Sequence, residues 1–177
     1  MAIRIFISHA SRDRDLVKLF VRALEAAVVV SEDEIRCTSL PGYRLRAGIQ
    51  TSEALRQELA DAPLIIGILT PVSLESGWVM FELGAAWGSK KWVVPVVAGV
   101  DYDAMPGPLK ECNATDAATR GELEQLFHEI ADGLHLKSRA AGKASEALDD
   151  LVSEAEDYFD EDDQDEEDDD DDEEEDE

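Results

Sequence analysis

Cysteine is scarce in this 177-residue chain: Cys37 and Cys112 are the whole supply, and no CxxC pair or Cys/His cluster accompanies them. That excludes a disulfide framework and a metal centre, and both residues read as structural thiols. Basic residues are scarce too, with 16 Lys+Arg against 42 Asp+Glu and a formal net charge of -26. No basic stripe with interleaved aromatics relieves this, so a nucleic-acid partner is not expected. Long apolar runs are missing: none approaches the roughly 18 to 20 residues that cross a bilayer, and no membrane partner is expected. The N-terminal MAIRIFISHASRDRD lacks the apolar stretch of a secretory signal, which makes the cytoplasm the expected location. Neither GxGxxG nor GxxxxGK[ST] occurs, which removes both common phosphate-cradling loops.

What is abundant is acid, unevenly placed. Residues 160–177 hold 17 acids and one Gln, leaving 25 acids against 16 bases in residues 1–159, a net of -9. A like-charge block without apolar residues has no surface to bury against its ordering entropy, so a disordered acidic C-terminal tail is expected there. The remainder suits one core. We divide the chain into a domain over 1–136, a linker and short amphipathic helix over 137–159, and the tail over 160–177. No internal repeat is evident.

Ile3 to Ile7 reads as a buried first strand ending in the polar loop SHASRDRD. From Asp13, apolar residues Leu16, Phe20, Ala23, Leu24 and Ala27 recur at helical spacing, with Ser11 or Asp13 as the candidate cap. Ile35 to Ser39 is a second strand, broken by Leu40-Pro41-Gly42 into a loop to about Ala47. A helix follows with Leu55 and Leu59 inward. Leu64 to Leu69, bounded by Pro63 and Pro71, reads as a strand covered on both faces. Trp78, Phe81, Ala85 and Ala86 mark the next helix. Trp92 to Val97 is a fourth strand in which Pro95, lacking a donor, signals a strand end or bulge. A weak fifth segment lies near Cys112 to Ala117, and Leu123, Leu126, Phe127, Ile130 and Leu134 form one face of a helix. Leu148, Leu151, Val152, Ala155 and Phe159 make a short stripe that docks on the domain or on a partner. Strand alternating with helix predicts the α/β class: a flavodoxin-like open parallel five-stranded sheet with helices on both faces.

Ligands of such sheets sit beyond the C-terminal strand ends, which directs attention to residues 8–11, 39–46 and 70–82. A phosphoacceptor receiver domain needs an acid pair after the first strand and an Asp after the third; here those places hold Ser8-His9 and Thr70-Pro71. SHASRDRD is not a Ser/Thr/Gly-rich phosphate loop either, which disfavours a flavodoxin. In SLESGWVMFELGAAWG, a helix starting near Ser76 places Trp78 and Glu82 at i and i+4, a carboxylate beside an aromatic wall. By default such a Glu is solvated and such a Trp is core.

Taken together the segments resemble a Toll/interleukin-1 receptor (TIR) domain of the bacterial type over residues 3 to about 135. The resemblance rests on Ile5-Phe6-Ile7-Ser8-His9-Ala10-Ser11, on Leu40-Pro41-Gly42, on the strand-end turn Leu69-Thr70-Pro71-Val72-Ser73, and on Ser76-x-Trp78-x-x-x-Glu82-Leu83. It implies the TIR fold and, as in many domains of this type, cleavage of NAD⁺ to nicotinamide and a linear, cyclic or variant ADP-ribose, with NAD⁺ as substrate and no cofactor or metal retained. It makes Glu82 the catalytic residue, places Trp78 against the pocket, sets Phe6, Ser8 and His9 near the nicotinamide or ribose, and brings Ser39 and Leu40 from the next strand end. Arg44 and Arg46 would meet the pyrophosphate or stay solvated. It also implies a prokaryotic anti-phage setting and assembly with other TIR domains, the loop after the second strand reaching a neighbour head to tail. Two rivals remain: a non-enzymatic TIR–TIR adaptor, and a nucleoside deoxyribosyltransferase-like enzyme, which fits the first-strand motif less well.

Overall fold

The computed structural model describes residues 3–37, 39–43 and 51–165. Five parallel strands, β1 (Ile5–Ser8), β2 (Ile35–Arg36), β3 (Leu64–Leu69), β4 (Trp92–Val97) and β5 (Thr115–Asp116), form an open sheet in the order β2-β1-β3-β4-β5. Among the described residues six α-helices connect and cover them: α1 (Arg14–Ala27), α2 (Thr51–Asp61), α3 (Pro71–Leu74), α4 (Gly77–Gly88), α5 (Arg120–Gly133) and α6 (Ser145–Asp165). This is the α/β class expected from the alternation of elements, and its strand order is the flavodoxin-like one. No helix among the described residues is long and apolar enough to cross a membrane.

Alternation along the strands sorts the core into two layers. Ile5, Ile7, Leu64, Ile66 and Ile68 face α1, α5 and α6, whereas Phe6, Ile65 and Leu69 face α2 and α4. Leu55 and Leu59 point inward from α2, and Leu123, Leu126, Phe127 and Ile130 from α5, as the spacing predicts.

Several expectations are corrected. The first strand is displaced by one or two residues, and β2 stops at Arg36 because the chain turns there, the Tyr43 carbonyl accepting from Cys37 N–H. Pro95 neither ends nor bulges β4 but pairs in register with Gly67. Val97 C=O accepts from Ala117 N–H on the β5 side, so by the two-residue period Pro95 also faces that side, where pairing with β5 begins only at Val96, opposite Thr115. No ladder donor is required of it. Third, neither Ser11 nor Asp13 caps α1 through its side chain. Asp13 is 1 % exposed, and Thr70 Oγ donates to its Oδ2 at 3.0 Å, tying the loop after β1 to the end of β3.

The stripe after residue 147 docks on the domain itself. Leu148, Leu151 and Ala155 are buried against α1 and α5, and Arg22 of α1 pairs with Asp150 at 2.9 Å. Residues 138–139 are pinned to the end of α1 by the Val28–Ser138 bridge and the bond from Arg139 N–H to Ala27 C=O. Helix α6 runs six residues into the acid block, to Asp165, where disorder was expected from residue 160; residues 166–177 lie outside the described residues, as do Arg44 and Arg46. Near its C-terminal end α6 touches the loop after β4 at Gly99, whose φ of +62° suits glycine and whose missing Cβ would overlap the Tyr158 carbonyl. Gly99→Val should therefore cost about 3 kcal/mol or more, since strain and a backbone clash coincide. Denaturant unfolding checks it; an unchanged midpoint would show that α6 is not seated on this rim.

Candidate functional site

The site forms where the strand order reverses, at the C-terminal ends of β1 and β3. Ser8 ends β1 and shares the parity of Phe6, so its hydroxyl is directed to the α4 face. Its partner across the sheet is Gly67. A Cβ on Gly67 would sit 2.7 Å from Leu83 Cδ1, so the glycine lets α4 settle directly on the sheet. Glu82 precedes Leu83 and is carried down with it. Ser8 Oγ–H donates to Glu82 Oε2 at 2.5 Å, within the range of a charge-assisted bond.

Helix α4 enters through Ser76, whose side chain accepts from Val79 N–H, and α3 just before it is capped by Thr70, which accepts from Ser73 N–H at 3.1 Å. Both caps lie in the segment linking β3 to Glu82, so its path is fixed by satisfied helix ends. Glu82 is 6 % exposed. Burial holds its carboxyl above the usual glutamate range, and hydrogen bonds from Ser8 and Trp78 oppose that shift. Trp78, one turn earlier, is 56 % exposed and lies 6.0 Å from the Phe81 ring, so it stands over Glu82 from the solvent side and is not core.

A second group adjoins the first through one peptide bond. His9 follows Ser8, and its Nε2 lies 2.6 Å from Ser39 Oγ, with Cys37 Sγ 4.0 Å from both ring nitrogens. Burial pushes the His9 imidazole below its ordinary value, so it is neutral near pH 7. Leu40 is buried on the α1 side and borders a hollow of ≈ 530 Å³ lined by Arg14, Lys18 and Arg22, by Asp15 and Glu25, and by Pro41 and Tyr43.

The structure thus brings Glu82, Ser8 and Trp78 together, with Phe6 beneath Ser8 as core at 1 % exposed. It joins His9 to Ser39 at the neighbouring strand end, and it keeps Leu40 on the opposite layer. Sequence reasoning missed the Ser8–Glu82 bond, the Asp13–Thr70 tie and the proximity of Cys37 to His9. The first was hinted at by the parity of Ser8 with Phe6; the other two join residues with no shared pattern. Among the described residues no group of three His, Cys, Asp or Glu side chains could hold a metal ion.

Comparison with known proteins places the chain in a family. The profile of the TIR domain matches residues 5–130, which contain β1 to β5 and every residue of the site. The uncharacterised protein YddK of Bacillus subtilis (strain 168) is 33 % identical over 84 residues, a stretch covering 48 % of this chain and 31 % of that protein. This chain therefore spans less than a third of that relative's length. By its sequence match and its parallel five-stranded sheet, the chain belongs to the TIR domain family.

Proposed function

We propose that this chain is an NAD⁺ nucleosidase that cleaves the bond between nicotinamide and ribose. The observation that carries the reading is the buried Glu82 carboxylate held by Ser8 at the C-terminal end of β1. In NAD⁺ the nicotinamide ring is cationic and departs neutral, so the leaving group needs no proton and a single carboxylate suffices. Positive charge builds on the anomeric carbon and ring oxygen, and a low-dielectric carboxylate stabilises it far more than it would in water. Ser8 orients the carboxylate through Oε2, and the lone pairs that remain on it accept from the ribose hydroxyls. Water or a substrate oxygen then captures the cation, which gives ADP-ribose or a cyclic or variant isomer.

The remaining parts suit the same substrate. Trp78 offers a flat apolar wall beside the carboxylate, and neutral His9 with Ser39 offers hydrogen-bonding groups to the second ribose without adding charge. The hollow beside Leu40, where Asp15 and Glu25 stand among Arg14, Lys18 and Arg22, lies on the α1 layer away from Glu82 and is not assigned to this substrate. NAD⁺ is substrate here, not a retained cofactor. The setting we propose is a cytoplasmic prokaryotic anti-phage response in which association with other TIR domains raises activity.

The pH profile follows from the site. The working form of Glu82 is the carboxylate, and burial raises its pKa, so activity should fall as pH drops through a value above the ordinary 4.5. Bound cationic substrate favours the ionised form, so the limb of kcat should lie at lower pH than the limb of kcat/KM. Initial rates of nicotinamide release between about pH 4 and pH 9 test this. Coincident limbs at the ordinary value would place the essential charge elsewhere.

A further inference from the structure

Asp13 is a second buried carboxylate at this rim, and its partners lie on both halves of the site. It accepts from the Thr70 hydroxyl at 3.0 Å and from the N–H of Ala10, which follows Ser8 and His9 in the chain. Thr70, itself fully buried, uses the same oxygen to accept from Ser73 N–H at 3.1 Å, and Ser73 Oγ accepts from Thr70 N–H at 2.7 Å. Ser73 C=O accepts from Ser76 N–H at 3.1 Å, and Ser76 caps α4. A line of hydrogen bonds thus runs from the backbone beside His9, through Asp13, to the start of the helix that carries Glu82.

That line closes a ring. Residues 8–13 form one side of it and residues 70–82 the other, and two side-chain bonds join them, Ser8 to Glu82 at 2.5 Å and Asp13 to Thr70 at 3.0 Å. Stability alone does not account for a carboxylate at this point. The ladder that pairs Ile5 to Ser8 with Leu64 to Gly67 already holds β1 to β3. Burial pushes the Asp13 carboxyl above its usual range, so the anion is costly, and a neutral pair of the same shape would serve the fold as well. What the anion supplies is acceptors alone. It meets the Thr70 hydroxyl and the Ala10 N–H together, whereas an amide turns an NH2 towards one of the two donors.

We propose that Asp13 is a positioning residue of the site: through Thr70 and Ala10 it fixes the loop after β1 against the entry to α4, and so sets the bond between Ser8 and Glu82. The inference rests on Glu82 being the reacting carboxylate. Asp13 acts on the reaction through Ser8 and α4, so its loss moves the reacting groups apart and leaves the walls of the pocket in place. The expected signature is a lower kcat at nearly constant KM.

Nicotinamide release by Asp13→Asn, Thr70→Val and Thr70→Ser tests this. Valine removes the donor and leaves the Asp13 charge in place, whereas serine keeps the hydroxyl. Asp13→Asn and Thr70→Val should each lose about 10- to 100-fold in kcat with KM within about threefold, and Thr70→Ser should stay near the wild type. In a Ser8→Ala chain, Asp13→Asn should cost less than about threefold more, because the bond it sets is already gone. Equal losses with and without Ser8, or an unchanged kcat beside a lowered Tm, would make Asp13 merely structural and overturn the proposal. A second readout needs no turnover. Followed by carbon NMR against pH, the Glu82 carboxyl should titrate above 4.5 in the wild type and move towards 4.5 in Thr70→Val, since burial is the larger influence on it and water then enters. An unmoved Glu82 titration overturns the proposal whatever the site cleaves. A titration that moves in a chain that releases no nicotinamide supports the positioning and counts against the reaction alone. If Thr70→Val does not fold, Asp13→Asn, which keeps the shape and sheds the buried charge, carries both readouts.

Discussion

Replacing Glu82 by Gln should abolish nicotinamide release, by about 10³-fold or more, while making the protein harder to unfold. The two effects have one cause. A buried carboxylate held above its ordinary pKa is strained as an anion, and that stored electrostatic cost is what a cationic transition state relieves. Gln keeps an acceptor for the Ser8 hydroxyl and removes the charge, so it retains the fold and loses the stabilisation of the cation. The linkage has a definite sign. A carboxyl whose pKa is raised by folding binds its proton more tightly in the native state, so stability declines as pH rises from 4.5 through the raised value. The variant should accordingly melt higher than the wild type at pH 7, with each kcal/mol recovered worth about 2–4 °C in Tm, and should match it once both states are protonated. A variant that is inactive and also less stable would assign Glu82 a structural role instead.

The second large effect concerns Gly67, which touches no substrate. Valine favours strands, so local preference welcomes Gly67→Val. The obstacle is tertiary: the first added carbon already lies 2.7 Å and 2.9 Å from the two methyls of Leu83, and Leu83 is fully buried. Overpacking of this kind costs about 1–3 kcal/mol, and the soft response is for α4 to lift from the sheet. Lifting α4 separates Glu82 from Ser8, and a displacement of about 1 Å is worth about 10²-fold in rate. Activity of Gly67→Val should fall by about that factor with KM little changed, and Leu83→Ala in the same chain should recover most of it by restoring room. Failure of the second substitution to rescue would mean that the close approach of α4 does not position the site.

Where local pattern and tertiary contact agree, the structure was legible from sequence. β3 and β4 were bounded correctly because unbroken aliphatic runs between turn residues admit one reading, and the inward face of α5 was evident from its spacing. β2 was overextended because Cys37 is as apolar as a strand residue, yet its backbone bonds to Tyr43 and turns the chain. Asp13 looked like a cap by position, and only the fold brings Thr70, 57 residues away, to compete for it. At the site, the pairing of Trp78 with Glu82 was visible as a helical interval. The bond from Ser8 to Glu82 was not, because it spans 74 residues and depends on the Ser8–Gly67 register and on the seat of Leu83. The exposure of Trp78 and Phe81 also escaped pattern reading, which takes aromatics at helical spacing as core.

The account turns on whether Glu82 acts on NAD⁺, and the most direct measurement is nicotinamide release by the purified chain, dilute and crowded, beside Glu82→Gln. It predicts release by the wild type that increases with crowding and vanishes in the variant, whose folded state is confirmed by its higher Tm. Equal release by both proteins would contradict the role of Glu82, and none from the wild type under either condition would contradict the activity and leave the adaptor reading in its place.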